Sequence, residues 1–319
     1  MDNLKPILIV AGEPYSIFLE IFFKSKKNNN NVVLIVSKKL LQMQMRKLNY
    51  AYKINELDIS QMSLVKLKKN KINIVNVDFN FKKTFDKISN NSNNYIEKCF
   101  NVALDLIKKY NFSGLINGPI SKKHFLQGKN LGITEYLAQK TNKDNDVAML
   151  IYNKKLSVSP ITTHLALKDV PKHISKEKIY KHVKLINEFY IKNFNKKPKI
   201  AVTGLNPHCE SNFQNCEEDL IIRPAIRKLK KKNFLIKGPF PADTIFMKEN
   251  FVDYDVIIGM YHDQVLSPMK SLFGFDAINI TLGLPFIRIS PDHGPNSSML
   301  GKNMSNPKSL IEALKFLTK

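Results

Sequence analysis

Short, almost wholly apolar runs alternate along this chain with longer stretches of helical periodicity, and that alternation narrows the fold more than any other feature. Runs that read as strands are Ile7–Ala11, Val32–Val36, Ile72–Val77, Gly114–Asn117, Val147–Tyr152, Ser157–Thr162, Ile200–Thr203, Val256–Met260 and Ala277–Thr281. Unbroken apolar character, without polar alternation, suits strands buried on both faces. Between them, Ser16–Lys24, Asn94–Tyr110, Lys176–Asn193, Leu220–Lys232 and Pro307–Leu317 read as helices. In the second of these, Ile96, Phe100, Ala103, Leu104 and Ile107 recur at helical spacing. Ser175, just before Lys176, suits an N-cap. Strands regularly separated by helices predict an α/β fold with a largely parallel, doubly covered sheet. The 319 residues allow a full core and two lobes, and the polar segment Asn80–Asn94 reads as a flexible insertion.

Ligands in such folds bind beyond the carboxyl ends of strands. Three of the seven histidines fall there: His164 in Ile161-Thr-Thr-His-Leu165, His208 in Thr203-Gly-Leu-Asn-Pro-His208, and His262 in Gly259-Met-Tyr-His-Asp-Gln264. Neutral imidazole is a common metal ligand, and three of them leave a divalent ion with positions open to substrate. Each lies on a different element, so their convergence has to be tertiary; dispersed histidines are usually unrelated, and it is the context of these three that points to a site. Pro207 sets the chain at His208 in an extended turn. Asp263 is placed to orient a ligand or to act as a base. His124, His173 and His182 sit in lysine-rich helical stretches and read as surface residues, while His293, in the turn Pro291-Asp-His-Gly294, stays open.

Two further elements carry chemistry. In Pro239-Phe-Pro-Ala-Asp-Thr244 the prolines present the Asp243 carboxylate from a rigid turn, as a helix N-cap or as an acid–base group. Lys270, Asn279 and Arg288 form a cationic and amide set. Arg288 ends the strand-like Leu284–Ile287, and its guanidinium either grips phosphate or carboxylate through two parallel bonds or closes a buried ion pair. The first strand runs into Gly12-Glu-Pro14 rather than a G-x-G-x-x-G, and no G-x-x-x-x-G-K-[ST] occurs, so a bound nucleotide would use neither standard phosphate loop.

A net charge of +23 invites a nucleic-acid reading, but only four of the fifty basic residues are arginine: Arg46, Arg223, Arg227 and Arg288. Arginine is the residue favoured for bidentate phosphate and guanine recognition. The lysines are scattered among Asn and Ile, as in Lys24–Asn31, a pattern resembling AT-rich coding, and most are expected to be solvated. Cys99, Cys209 and Cys216 form no even-numbered framework and no CxxC pair, which suits reduced thiols; Cys209 beside His208 reads as an incidental small residue. No run approaches the roughly 18 apolar residues that span a bilayer, and Pro6–Ala11 is short for a signal-peptide core. A soluble cytoplasmic protein, with neither membrane nor nucleic acid as partner, is expected.

Motifs in order along nearly the whole chain resemble the 4-hydroxythreonine-4-phosphate dehydrogenase family of pyridoxal-phosphate biosynthesis. They are Gly12-Glu-Pro14, Ile116-Asn-Gly-Pro-Ile-Ser-Lys122, Gly132-Ile-Thr-Glu135, Thr162-Thr-His-Leu165, Gly204-Leu-Asn-Pro-His208, Gly238-Pro-Phe-Pro-Ala-Asp-Thr244, Met260-Tyr-His-Asp-Gln264, Asn279–Arg288 and Asp292-His-Gly294. The resemblance implies a three-layer, two-lobed α/β/α fold like that of isocitrate and isopropylmalate dehydrogenases, which bind NAD without the Rossmann fingerprint. It places residues 1–125 with 265–319 in a first lobe and 126–264 in a second. It implies a homodimer with a shared active site, His164, His208 and His262 as ligands of zinc, magnesium or cobalt, and Thr134, Lys270, Asn279 and Arg288 as substrate contacts. Asp243, Asp263 and Lys270 are the catalytic candidates. The implied reaction uses NAD or NADP to oxidise the C3 hydroxyl of 4-phosphohydroxy-L-threonine to a β-keto acid that loses CO2. The family usually has His where this chain has Ile133, a glycine-rich run where it has Tyr15–Glu20, and Thr and an acid at Pro295 and Ser298. The nearest alternative substrates are therefore 4-phospho-D-threonate and 4-phospho-D-erythronate.

If the charge is merely solvated, labelled duplex DNA or RNA shows no binding in fluorescence anisotropy at about 150 mM salt, where a true binder would retain measurable, salt-dependent affinity.

Overall fold

Continuous apolar runs become fully buried strands in the computed structural model, which describes residues 5–26, 31–60, 67–128, 132–144, 146–210, 215–274, 276–291 and 293–318. The strands are β1 (Ile7–Val10), β2 (Val32–Val36), β3 (Lys53–Glu56), β4 (Lys71–Asn76), β5 (Gly114–Asn117), β6 (Ala148–Tyr152), β7 (Ser157–Thr162), β8 (Ile200–Thr203), β9 (Ile236–Phe240), β10 (Val256–Tyr261), β11 (Ile278–Leu282) and β12 (Arg288–Pro291). The helices are α1 (Phe18–Lys24), α2 (Lys38–Lys47), α3 (Asn93–Lys109), α4 (Ile133–Lys140), α5 (Lys176–Phe194), α6 (Arg223–Lys231), α7 (Ala242–Ile245), α8 (Lys248–Phe251), α9 (His262–Phe273) and α10 (Lys308–Leu317). The chain divides into two units, residues 1–136 with 285–319, and residues 137–284. These divisions, at 136/137 and 284/285, differ from those expected at 125/126 and 264/265.

In the first unit the strand order is β3-β4-β2-β1-β5-β12, all parallel. Every residue of β1, β2 and β5 is buried, as a sheet covered on both faces demands. Helix α3 packs on β1, β2 and β5, and α10 on β12. After β1 the chain passes so close to the segment following β5 that a Cβ at Gly12 would lie 2.6 Å from the Pro119 carbonyl oxygen; Gly12 also has φ +79°. Glu13 is buried there, its amide donating to Pro119 O at 2.9 Å and its carboxylate accepting from Ser92 Oγ at 3.0 Å. Burial pushes this carboxyl up to about 7, against the lowering effect of the Ser92 and Tyr15 hydrogen bonds.

In the second unit the order is β11-β6-β7-β10-β8-β9. The pairs β11/β6 and β6/β7 are antiparallel; β7, β10, β8 and β9 run parallel. Helix α9 packs on β7 and β10, contributing Val265 and Met269 to a core with Val158, Ala201 and Ile257. Helix α5 packs on β6, β7 and β11, and Ser175 caps it as expected, its Oγ accepting from the Lys178 amide at 3.1 Å.

Several expectations change. The strands β3 and β9 escaped the pattern because they end their respective strand orders. The sequence of β3, Lys-Ile-Asn-Glu, is half exposed, and β9 contains Gly238-Pro239, which an edge strand tolerates. Arg288 opens β12 instead of ending a strand, and residues 284–287 have no strand structure. His182 is buried, not a surface residue, with its Nδ1 3.0 Å from the Lys178 carbonyl. Segment 80–94 is anchored and not a loose insertion: Gln44 Nε2 donates to Thr84 O at 3.1 Å, Ser92 binds Glu13, and α3 begins at Asn93. Among the described residues no helix is long and apolar enough to cross a membrane.

Burial lowers the His182 imidazole to about 4, with main-chain hydrogen bonds to Lys178 and Pro160 partly opposing. The two buried groups therefore respond oppositely to pH. Acidification from 6.5 to 4 protonates the unfolded His182 first and lowers stability; raising pH from 4.5 to 7 ionises the unfolded Glu13 first and also lowers it. Each contribution reaches at most about 3 kcal/mol. In chemical denaturation across this range, Glu13→Gln is expected to remove the alkaline-side loss and His182→Gln the acid-side loss.

Candidate active site at the carboxyl ends of the parallel strands

Parallel pairing brings the carboxyl ends of β7, β10, β8 and β9 to one edge of the second unit. Tyr261 stands opposite Thr162, and Ile258 opposite Val202, so the chains leave the sheet in step. His164 follows Thr162 by two residues, His262 is the first residue of α9, and His208 lies in the short turn Pro207–Cys209 after β8. The turn at His208 is not extended: Asn206 is (φ −92°, ψ 157°), as a residue before proline should be, but His208 has φ 56° and ψ 10°. His164 and Cys209 are likewise left-handed, with φ 54° and 58°. Non-glycine residues seldom adopt this region, and where they do the surrounding structure enforces it, commonly at functional sites.

The rings of His164 and His262 lie 5.7 Å apart, centroid to centroid. His262 Nδ1 is 2.7 Å from Asp263 Oδ1; with Nδ1–H donating to that carboxylate, Nε2 is left as the free lone pair. Together with Thr162, Leu165, Tyr261 and Asp263 the pair lines a cavity of about 320 Å³. His208 is exposed on the neighbouring loop. Among the described residues no three His, Cys, Asp or Glu side chains gather into a metal cluster. The donor chemistry nevertheless fits a divalent ion: two adjacent imidazoles, one pre-oriented by a carboxylate, with a third on the exit loop of the next strand along the same edge, β8.

Asp243 sits where β9 passes into α7, exposed at the second residue of that helix, and the N-cap position is held by Pro241, which removes the N-cap reading. Burial chiefly, then the charges of Glu218 and Asp243, push up the Cys209 thiol against the effects of Gly204 and Arg223. Lys270 is exposed in α9. Asn279 lies on β11, its Oδ1 buried without a hydrogen-bond partner among the described residues, an acceptor suited to a ligand donor.

Thr134 and Arg288 belong to the first unit. Arg288 is fully buried; its Nε donates to Asn117 Oδ1 at 2.7 Å and its Nη1 to Thr134 Oγ1 at 3.5 Å. Burial lowers the guanidinium to about 9, and the nearby Glu135 charge opposes that shift. Thr134 and Glu135 lie in the first turn of α4, directly after Ile133. Asn117, the Arg288 partner that sequence reasoning missed, ends β5 within the Ile116–Lys122 motif, and that strand-end position is the signal that marks it. Two departures from the family pattern also meet, the Ile17 amide donating to Pro295 O at 3.2 Å. Asp292 lies outside the described residues.

These features define an α/β fold, one shared with isocitrate dehydrogenase from Methylococcus capsulatus at a TM-score of 0.52 and 9% identity, over 96% of this chain and 83% of that one. The chain belongs to the family described as pyridoxal phosphate biosynthetic protein PdxA, whose sequence profile matches residues 28–317. It is 39% identical to a 4-hydroxythreonine-4-phosphate dehydrogenase of Sulfurihydrogenibium sp. (strain YO3AOP1), over 97% of this chain and 96% of that protein. A crystal structure of 4-hydroxythreonine-4-phosphate dehydrogenase from Klebsiella pneumoniae superposes with a TM-score of 0.85 at 27% identity, covering 99% of this chain and 98% of that one. An Oceanobacillus iheyensis relative provisionally named D-threonate 4-phosphate dehydrogenase is 36% identical over 72% of this chain and 70% of that protein.

Removing the Asn117 acceptor from the buried guanidinium should be costly. Asn117→Ala is expected to lower unfolding free energy in urea by about 1–3 kcal/mol, against less for Thr134→Val, whose hydrogen bond is longer.

Proposed function

We propose that this chain is a 4-hydroxythreonine-4-phosphate dehydrogenase: with NAD or NADP it oxidises the C3 hydroxyl of 4-phosphohydroxy-L-threonine, and the β-keto acid loses CO2 to give 3-amino-2-oxopropyl phosphate for pyridoxine 5'-phosphate biosynthesis. The observation that carries the reading is the His164–His262 pair, oriented by Asp263, at the positions this family resemblance marks for metal. Membership of the PdxA family and the names of its relatives support the substrate. His164, His208 and His262 would hold zinc, magnesium or cobalt. When bound, the ion would supply Lewis acidity toward substrate oxygens and the nicotinamide would accept hydride.

The chain's own side chains have separate tasks in this reading. Asp263 fixes the His262 tautomer by accepting from Nδ1. Asp243, exposed at the exit of β9, is the candidate to take the hydroxyl proton as hydride leaves. Lys270 and Arg288 balance substrate charge, while Thr134 and Asn279 hydrogen-bond it. The active form is a cytoplasmic homodimer with a shared site, and the two lobes follow the family division. A second reading, oxidation of 4-phospho-D-threonate or 4-phospho-D-erythronate, is favoured by Ile133 standing where the family has a histidine, and by the Oceanobacillus iheyensis relative's name.

The test is NADH formation by purified protein with added divalent metal and each of the three phosphorylated acids. Turnover of phosphohydroxythreonine is expected, with His208→Ala lowering it at least about 100-fold, the scale of an essential group. Turnover of phosphothreonate or phosphoerythronate alone would transfer the assignment to the second reading.

A further inference from the structure

The three strand ends that carry the histidines are tied together by side-chain hydrogen bonds that bypass the imidazoles. Thr162 Oγ1, two residues before His164, donates to the Met260 carbonyl at 2.7 Å. Gln264, two residues after His262, reaches back and across: its Oε1 accepts from the Met260 amide at 2.7 Å and from Thr203 Oγ1 at 2.9 Å. Its Nε2 donates to the Gly204 carbonyl at 2.8 Å. One carboxamide therefore bridges the turn into α9 and the exit of β8.

From Gly204 the chain enters the His208 loop, and a buried carboxylate fixes its first residues. Glu218 Oε1 accepts from the amides of Leu205 and Asn206 at 2.7 and 2.8 Å, and Oε2 accepts from Asn206 Nδ2 at 2.9 Å. A Cβ at Gly204 would fall 2.9 Å from Glu218 Oε1 and 2.8 Å from Cys209 Sγ, so the loop is closed tightly on itself. Arg223 Nη2 holds its far side by donating to the Cys209 carbonyl at 3.1 Å. The left-handed backbone at His208 and Cys209 is kept in place by these bonds.

We propose that Gln264 is a positioning residue for the metal ligands, clamping the His208 loop to the His262 turn so that a bound ion has only the His208 side chain, and not its loop, to draw toward the His164–His262 pair. The inference rests on the metal site proposed above. Side chains that orient ligands without touching the metal are worth about 10- to 100-fold in metal affinity. A carboxamide is suited to the task because it accepts and donates at once, without adding charge beside a cation.

The experiment measures Zn2+ affinity of the metal-free full-length chain by competition with a chromophoric chelator, alongside its urea unfolding midpoint. Wild type should bind tightly and His208→Ala weakly. Gln264→Met, similar in size but unable to make the three bonds, should bind about 10- to 100-fold more weakly. Thr203→Val, which removes one bond at a residue remote from the ion, should weaken binding by a smaller factor, while Thr203→Ser should bind as wild type. A merely structural amide would lower the unfolding midpoint and leave Zn2+ affinity intact. Wild-type affinity in both Gln264→Met and Thr203→Val overturns the inference and leaves the metal site standing. If Gln264→Met fails to fold, the Thr203→Val and Thr203→Ser pair decides. Wild type that binds no Zn2+, or His208→Ala that binds like wild type, overturns both the metal site and the inference resting on it.

Discussion

Parallel hydrogen bonding among β7, β10, β8 and β9 is the constraint on which the candidate site depends. Parallel strands deliver all their carboxyl ends to one edge, so residues far apart in sequence emerge side by side without long-range recognition between them. The register Tyr261 opposite Thr162 then decides that the segments bearing His164 and His262 leave together. That pairing in turn rests on a core in which Val158, Ala201, Ile257 and Val265 are completely buried. The position of the imidazoles is thus a consequence of apolar packing beneath them.

The buried ionisable groups show how burial and local hydrogen bonding compete to set the protonation of a carboxyl. Glu13 and Glu218 are both buried carboxylates with opposite outcomes. Burial alone would raise Glu218, but bonds from Asn206 and Leu205 outweigh it and hold the group below the usual carboxylate range. Glu13 accepts from one hydroxyl and from a longer amide contact of 3.4 Å, too little to offset its burial. Arg288 is buried against an amide and a hydroxyl, with a carboxylate nearby. The abundant lysines contribute little to any of these sites.

What could be read from the sequence follows the same physics. Strands buried on both faces carry few polar residues, so β2, β5 and β8 were bounded correctly; β7, Ser-Val-Ser-Pro-Ile-Thr, was bounded correctly too, although its buried position admits two small serines. Helix α9 was hidden because it starts directly on His262 and contains Pro268, which reads as a helix breaker. The run at 284–287 mimicked a strand, but Pro285 and Gly283 at φ 90° belong to a turn, and the real strand opens on a charged residue. His182 carried a signal that lysine-rich composition obscured: it shares the stripe of Ile179, Val183 and Ile186 on α5. The emergence of His164, His208 and His262 at strand ends was legible. The hydrogen bonds between those ends were not, because they run through the Met260 and Gly204 main chain, which no sequence pattern marks.

The left-handed backbone at His164 and His208 restricts what can replace either residue, apart from any chemistry. Asparagine, aspartate, histidine and glycine enter that region with little penalty, whereas valine, isoleucine or threonine would meet their own main chain. A lineage losing the imidazole would drift most easily to asparagine or glycine. Asparagine at either position would therefore be the mark of a relative that kept this loop geometry after abandoning the chemistry.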